Sequence, residues 1–145
     1  MHRVDSISEP KLDNTRDLVR VHNATRKSCL GEQISIADSS LRRMVGLLGK
    51  SSLDRGCGLF IVPSQAIHTV GMAFPIDVIF VDRKYNVVGV REALRPFRLT
   101  RVFWKALGVL ELPAGTIKSS RTQVGDQLKL DRTGGSPADA QTRDS

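Results

Sequence analysis

The hydrophobic and polar positions along the chain fall into short blocks, and most of these blocks have the pattern of β-strands. Residues 18–22 and 33–37 alternate between apolar and polar side chains, and the polar stretch between them predicts an opening hairpin. The most apolar runs, 58–62 and 76–81, predict strands buried in the core. A turn-type stretch after the second run predicts another hairpin, over 76–90. In all, the pattern predicts strands at 18–22, 33–37, 58–62, 76–81, 87–90, 109–112 and 127–130.

One segment has the period of an amphipathic helix instead. Between Asp38 and Gly49 the apolar residues recur at intervals of three and four positions, which places them on one helical face. Asp38 or Ser39 can cap the first turn, and Gly49 can adopt the left-handed conformation after the last turn. The spacing therefore predicts one short amphipathic α-helix at about 39–49. Many short strands and a single helix argue against alternating βαβ units and predict a mainly β protein, a β-sandwich or barrel.

The distribution of large apolar side chains predicts a single folded domain. A chain of 145 residues with 40% hydrophobic residues is long enough for one core but too short for two. Residues 1–16 are polar and mixed in charge, and residues 131–145 contain no large apolar side chain, so neither end can bury much surface. The predicted organisation is a polar N-terminal tail at 1–16, one β-rich domain at 17–130 and a disordered C-terminal tail at 131–145.

The positive charge of the chain is concentrated in one segment. The formal net charge is +7, from 22 Lys and Arg against 15 Asp and Glu. Residues 83–105 hold seven of the basic residues and a single acidic residue, Glu92, which leaves +6 in this segment alone. Several of these cations recur every three or four residues among aromatic side chains, so a helical turn here would place a cationic face beside an aromatic face. The basic residues are Arg83, Lys84, Arg91, Arg95, Arg98, Arg101 and Lys105.

This basic segment has two interpretations. It could meet nucleic-acid phosphates, an anionic lipid surface or an acidic protein, with Trp104 able to stack on a base or a sugar. In the other interpretation it is a solvated loop whose apolar residues, Val102, Phe103 and Leu107, cover the edge of the sandwich. A steep loss of binding with added salt would distinguish the electrostatic interpretation.

The remaining composition argues against several classes of protein. The longest uncharged apolar run, 66–76, is far shorter than the roughly 20 residues of a membrane-spanning helix, and no apolar secretory signal is visible near Met1. These features predict a cytoplasmic protein without a transmembrane segment. Cys29 and Cys57 form no Cys-x-x-Cys pair and no histidine cluster lies near them, so they are predicted to be reduced, with no metal site and no cofactor.

Five stretches of the sequence carry a recognisable set of motifs. They are Arg43–Leu48, Gly58–Phe60, Ile67–Phe80, Val109–Thr116 and Val124–Asp126. In this order and spacing they resemble the bacterial and archaeal family called domain of unknown function 192, over residues 34–130. The step His68-Thr69 resembles the His-Thr branch, where many other members have an aromatic-Met-Lys-Asn-Thr sequence. The resemblance implies a compact, mainly β fold, a jelly-roll-like sandwich with a small helix, and it implies no reaction.

The candidate catalytic residues lie in and near these motifs. His68 stands next to Thr69, and Asp77 follows nine positions after His68. A general base needs an orienting hydrogen-bond partner, so His68 with Asp77 or Glu111 is a candidate catalytic pair. The structural alternative is that His68 and Asp77 bond the backbone at strand ends and hold the hairpin. One histidine with scattered carboxylates gives no metal-ligand spacing.

Asp77 lies inside an otherwise apolar strand, where its carboxylate needs a cation or several N–H donors. Arg43, on the predicted helix, is the proposed partner, and the pair would clamp the helix to the sheet. The glycines of the later motifs have no phosphate-loop pattern, and positive φ at turns is the expected reason for them. The predicted structural residues of the motifs are Arg43, Gly46, Asp77, Gly115 and Gly125.

Together these features predict a non-enzymatic accessory module that binds a small ligand or a protein, as a monomer or weak dimer. The alternatives are a hydrolase-like enzyme that uses His68 with Asp77 or Glu111, and a binder of anionic surfaces or nucleic acid through residues 95–105. A pocket containing His68 and a carboxylate would favour the enzyme, whereas a closed aliphatic interior beside an exposed Trp104 would favour binding. The predicted binding residues are His68, Thr69, Met72, Arg95, Arg98, Arg101, Trp104 and Lys105.

Overall fold

The protein folds around one large β-sheet, which confirms the predicted mainly β class. The structure, a computed structural model, describes residues 18–37 and 52–133. These residues form seven strands and one short helix. In chain order they are β1 (Leu18–Asn23), β2 (Ser28–Ala37), β3 (Cys57–Ile61), β4 (Ile76–Val81), β5 (Val87–Leu94), β6 (Gly108–Pro113), α1 (Thr116–Ser120) and β7 (Leu128–Arg132).

The seven strands form a single sheet in the order β5-β4-β6-β3-β2-β1-β7. β2 and β3 are parallel, and the other neighbouring strands are antiparallel. The two edge strands approach each other at one corner. There Asn86 and Gln127 form an isolated antiparallel β-bridge, and the Leu128 N–H donates a hydrogen bond to the Tyr85 carbonyl at 2.9 Å. The sheet therefore curls into a half-barrel.

Side chains alternate across the curled sheet and supply two cores, one on each face. The inner core collects residues from all seven strands, as expected for the inside of the curl. It consists of Val19, Val21, Leu30, Ile34, Phe60, Ile79, Val81, Val87, Leu110, Leu112, Ile117 and Leu128. The outer core consists of Ile67, Met72, Phe74, Ile76, Val78, Phe80, Phe103, Ala106 and Val109. β4 is buried along its whole length because it contributes to both cores.

The outer core is covered by irregular segments of the chain. Residues 62–75 and 95–107 lie over β4 and β6 and supply the apolar side chains that close this face. A membrane crossing would need a longer and more apolar helix than any found in residues 18–37 and 52–133.

All seven predicted strands and both predicted hairpins are confirmed. The predicted helix at 39–49, which contains Arg43 and Gly46, lies outside the described residues, as does the predicted tail at 1–16. The pattern does not predict α1 because its five residues are too few to show a helical period. β7 continues to Arg132, past the predicted domain end at residue 130, because its backbone pairs with β1.

Candidate functional site

The segment 95–105 exposes four cations and four apolar side chains. We refer to these eight residues as the cationic–apolar surface. The exposed fraction is 72% for Phe97, 76% for Leu99 and 79% for Trp104. Large apolar side chains that are exposed together in one patch mark interaction sites more often than ordinary surface. The cationic–apolar surface consists of Arg95, Phe97, Arg98, Leu99, Arg101, Val102, Trp104 and Lys105.

The segment is irregular, so the helical turn considered for it is not formed. It pairs instead with residues 65–69 through backbone hydrogen bonds. The Thr69 N–H donates to the Arg98 carbonyl at 2.9 Å, and the Thr100 N–H donates to the Ile67 carbonyl at 3.0 Å. These bonds attach the cationic–apolar surface to the segment that covers the outer core.

Thr69 strengthens this attachment with its side chain. It is fully buried, and its hydroxyl donates to the Arg95 carbonyl at 2.7 Å while accepting the Arg98 N–H at 2.8 Å. Met72 is also buried, in the outer core. The structure therefore buries two of the predicted binding residues, Thr69 beneath the cationic–apolar surface, which it supports, and Met72 in the outer core.

Phe103 anchors the middle of the segment. Its buried ring stacks on Phe80 with the ring centroids 4.1 Å apart, and the Arg101 guanidinium lies 4.4 Å from the Phe103 centroid. Aromatic stacking and a cation over the ring both stabilise this position. Gly89 on β5 leaves room for the ring, because a Cβ at that position would overlap it. The exposed residues on either side of Phe103 are thus fixed to the sheet.

Phe97 has a backbone conformation that bulky residues rarely adopt. Its φ is 60°, in the left-handed region. This conformation costs about 1 kcal/mol or more for a residue with a side chain. The exposed ring recovers little of that cost through burial, and Gly or Asn would suit the backbone better. Phe97 packs into neither core of the described residues, so core packing there does not account for an aromatic residue at this position.

The cations of the surface have no carboxylate partners in the described part of the chain. Across residues 18–37 and 52–133 the ion pairs are His22 with Asp131 and Arg26 with Asp126. The four cations at 95–105 take part in neither pair. Cations gathered without neutralising carboxylates create a local positive potential that attracts anionic partners.

A groove of about 350 Å³ opens beside Trp104. Its walls come from residues 63–65, from the turn between β4 and β5, and from residues 104–107. The Gln65 side-chain amide donates to the Trp104 carbonyl at 2.8 Å, which joins two of these walls. Two cations line the groove, Arg83 from the turn and Lys105 from the cationic–apolar surface.

The structure does not bring the two candidate catalytic carboxylates together. Asp77 on β4 lies opposite Leu112, the neighbour of Glu111 on β6, so Asp77 and Glu111 point to opposite faces of the sheet. Both are fully buried, Asp77 on the inner face and Glu111 on the outer face. His68 is half-buried in the segment that covers the outer face, where its backbone forms an isolated antiparallel β-bridge with Leu99. Within the described ranges, His, Cys, Asp and Glu form no group of three that could hold a metal ion.

The Asp77 carboxylate accepts hydrogen bonds from three backbone N–H groups. Its Oδ1 accepts the Ala93 N–H at 2.8 Å, and its Oδ2 accepts the N–H groups of Gly115 at 3.1 Å and Ile117 at 2.8 Å. Asp77 thereby caps the start of α1 and joins it to β4 and β5. This is the structural role considered for Asp77, with backbone donors as its partners, whereas the proposed partner Arg43 lies outside the described residues.

A second buried carboxylate, Asp126, also accepts three hydrogen bonds, all on one oxygen. Its Oδ2 accepts hydrogen bonds from the Asn23 amide at 2.9 Å, the Gln123 N–H at 3.0 Å and the Arg26 Nε at 3.1 Å. Burial raises the pKa of Asp126, but these hydrogen bonds and the Arg26 charge outweigh it and hold the pKa below its ordinary value of 3.8. We call these four residues the Asp126 network. It ties the turn between β1 and β2 to the start of β7.

The motif glycines occupy turns with positive φ, which confirms the prediction for them. The φ angle is 96° at Gly115 and 97° at Gly125. A Cβ at either position would meet nothing within 4 Å, so the backbone conformation, and not a lack of space, is the reason for glycine.

Part of the candidate site is absent from the predicted binding residues. Phe97 and Leu99 are exposed on the surface, and their alternation with the cations was the signal that could have revealed them. Arg83 had no such signal. It reaches the groove because the Leu107 N–H bonds the Val81 carbonyl at 2.7 Å, a contact between distant parts of the chain.

Comparisons with other sequences identify relatives across this folded region. The family model for domain of unknown function 192, described as Uncharacterized ACR, matches residues 21–130. A UPF0127 protein of Pyrococcus horikoshii is 34% identical over 102 residues, which cover 67% of this chain and 86% of the relative. A UPF0127 protein of Thermococcus sibiricus is 31% identical over 111 residues, which cover 73% of this chain and 71% of the relative. The His-Thr branch stays a prediction.

Two solved structures have a similar fold. A protein of unknown function from Novosphingobium aromaticivorans matches with a TM-score of 0.65 and 19% identity, covering 77% of this chain and 83% of its own. A protein from Sinorhizobium meliloti, described as a candidate transcription regulator, matches with a TM-score of 0.63 and 22% identity, covering 77% of this chain and 91% of its own. At these identities the likeness concerns the fold alone.

Proposed function

We propose that this chain, which belongs to the family domain of unknown function 192, is a non-enzymatic module that binds an acidic protein partner. The observation that carries the proposal is the cationic–apolar surface. Phe97, Leu99 and Trp104 are exposed there between four cations that have no carboxylate partner in the described residues. An acidic protein would cover the apolar side chains and neutralise the cations together.

The apolar side chains support a protein partner over nucleic acid. Trp, Tyr and Arg are the residues that most often carry the binding energy of protein interfaces. Phosphate binding would use the cations but would gain little from the exposed aliphatic residues Leu99 and Val102. A surface that mixes cations with aliphatic and aromatic groups fits a partner that has apolar side chains among its carboxylates.

The attachment of the segment also supports a binding role. The hydrogen bonds of Thr69 and the stacking of Phe103 on Phe80 position the backbone of the surface before any partner arrives. A surface that is already ordered loses less conformational entropy on binding.

The hydrolase alternative has less support. Asp77 uses both carboxylate oxygens for backbone N–H groups, which leaves it poorly suited to orient a catalytic histidine. Glu111 is fully buried under the segments that cover the outer core, so a substrate would have to displace those segments to reach it. Neither carboxylate lines the groove beside Trp104.

Nucleic acid or an anionic surface is the second candidate partner, because Trp104 is exposed and could stack on a base. The two candidates differ in what they require of the surface. Binding of a protein partner depends on both the cations and Leu99. Binding of an anionic polymer depends on the cations and Trp104 and does not depend on Leu99.

The test is a fluorescence anisotropy titration of the full chain into a labelled peptide of alternating Glu and Leu residues. The double variant Arg95→Gln/Arg98→Gln should bind about ten-fold more weakly because two charge contacts are lost. Leu99→Ser should also weaken binding, by roughly ten-fold, because an apolar contact is lost. The control is Lys118→Gln/Lys129→Gln, which removes two exposed charges elsewhere and should leave binding unchanged.

Two results would contradict the proposal. One is unchanged peptide affinity in both surface variants. The other is tighter binding of an oligothymidylate of about 12 nucleotides, with no loss in Leu99→Ser. That second result would favour the nucleic-acid candidate.

A further inference from the structure

We infer that the groove beside Trp104 is the subsite for an acidic side chain on an extended peptide segment of the partner. This inference rests on the proposed function and adds a defined contact to it. A change at Arg83 tests this inference separately from the proposed function, because Arg83 lines the groove but lies outside the cationic–apolar surface.

The charges that line the groove match a carboxylate. Arg83 and Lys105 are both exposed and come from different parts of the chain, yet they line the same groove. Neither belongs to the ion pairs formed within residues 18–37 and 52–133. A guanidinium can donate two parallel hydrogen bonds to a carboxylate, and an ammonium group can add a third. The groove therefore has donors and positive charge ready for an acidic side chain.

The acidic residue next to Arg83 does not neutralise it. Asp82 Oδ1 accepts the backbone N–H groups of Lys84 and Asn86, each at 2.9 Å, and Asp82 Oδ2 accepts the Asn86 side-chain amide at 3.2 Å. Burial raises the pKa of Asp82, but these hydrogen bonds and the Lys84 charge outweigh it and lower the pKa below 3.8. The Asp82 carboxylate shapes the turn, and Arg83 remains exposed at the groove.

Trp104 is the aromatic residue among those that line the groove. Trp104 is 79% exposed, whereas its carbonyl accepts a hydrogen bond from Gln65 and the adjacent Phe103 is buried. The backbone is therefore fixed while the indole is uncovered. An apolar side chain that neighbours the carboxylate on a peptide can pack against this indole.

The shape of the groove favours a peptide over a free small anion. Its volume of about 350 Å³ is at the small end of the roughly 300–1,000 Å³ range of ligand pockets, which enclose most of their ligand. This groove is about half open, so a small anion would keep part of its contact with water. Trp104 and Lys105 belong both to the groove and to the cationic–apolar surface. A peptide that enters the groove therefore continues directly onto that surface.

The experiment uses the intrinsic fluorescence of Trp104, which is the single tryptophan of the chain. The probe is the acetylated peptide of alternating Glu and Leu residues, titrated into the full chain. We expect the emission to move to shorter wavelength as the indole is covered. Arg83→Gln should weaken the titration about five-fold, and Arg83→Lys should restore part of the loss because the charge is kept. Lys84→Gln removes a charge from the same turn but not from the groove, and it should have no effect.

The outcomes separate the groove from the surface. If Arg83→Gln titrates like the unmodified chain while Arg95→Gln/Arg98→Gln is weakened, the groove inference is overturned and the proposed function stands. If neither variant is weakened, both are overturned. If vesicles of phosphatidylglycerol or the oligothymidylate give a stronger Arg83-dependent shift than the peptide, the occupant is lipid or nucleic acid and the inference is also overturned. Thermal unfolding of each variant, measured first, confirms that it is folded.

Discussion

The Asp126 network and the cationic–apolar surface differ in the partners that their charged groups have. In the network one buried carboxylate oxygen receives hydrogen bonds from three donors, including a paired arginine. On the surface four cations have no carboxylate within the described residues. An unpaired charge costs several kcal/mol in the interior but almost nothing in water. The comparison teaches that a buried charge must have hydrogen-bond partners within the protein, whereas exposed charges can be kept for a binding partner.

The same contrast separates the sequence motifs from the surface between them. Asp77, Gly115, Gly125 and Asp126 all lie in stretches that carry the family resemblance, and each holds a turn, a helix end or a buried network. The cationic–apolar surface lies between two of those stretches and contributes exposed side chains. We therefore expect changes in the motifs to reduce stability and changes on the surface to reduce binding.

The largest loss of stability is expected for Asp77→Asn. An amide would place an NH₂ group against backbone N–H donors and remove the negative charge that caps α1. The free energy of unfolding should fall by about 2–4 kcal/mol, measured by thermal unfolding with circular dichroism. An unchanged midpoint in Asp77→Asn would show that the bonds to Ala93, Gly115 and Ile117 do not hold the fold.

A smaller effect is expected for Gly89→Ala, which tests how the cationic–apolar surface is attached to the sheet. The added methyl group overlaps the Phe103 ring, so the ring must move from its position against Phe80. Overpacking of this kind should cost about 1–3 kcal/mol. Because Phe103 anchors the cationic–apolar surface, affinity for the Glu–Leu peptide should fall as well. A variant with reduced stability but full affinity would show that the surface does not depend on this anchor.

Asp126→Asn tests the network and its pH dependence. Loss of the charge-assisted bonds to Asn23, Gln123 and Arg26 should cost about 1–2 kcal/mol at neutral pH, measured by urea unfolding. A carboxyl whose pKa is lowered by folding stabilises the protein above its ordinary pKa and loses that contribution as pH falls. The difference between the unmodified chain and Asp126→Asn should therefore shrink below pH 3.8. A difference that stays constant into strong acid would be inconsistent with the lowered pKa.

The smallest effect on stability is expected for Arg95→Gln/Arg98→Gln. Both side chains are exposed and unpaired within the described residues, so unfolding should change by less than about 0.5 kcal/mol. The same double variant should lose about ten-fold in peptide affinity. A loss of stability as large as that of Asp77→Asn would mean that these cations belong to the fold.

The strands could be predicted because their signal is local. Alternation along β1 and an apolar run along β4 are visible within a few residues. The need of Asp77 for partners was also visible, since it stands in an apolar strand. The identity of those partners could not be predicted, because the donors Ala93 and Ile117 are 16 and 40 positions away in the chain.

The candidate site could be predicted only in part. The concentration of cations around residues 95–105 is a property of composition and was apparent. The sequence did not show which aromatic side chain faces water. Phe103 is buried and the adjacent Trp104 is exposed, because the segment pairs with residues 65–69 and stacks on Phe80. These contacts connect positions that are far apart in the chain.

Amide chemical-shift mapping of the full chain with the Glu–Leu peptide tests most directly whether binding and folding use different regions. The largest shift changes are predicted at Phe97, Leu99 and Trp104, extending to Arg83, while the amides of the Asp126 network stay unchanged. Largest changes at the Asp126 network, or no localised change at any peptide concentration, would contradict the assignment of binding to the cationic–apolar surface.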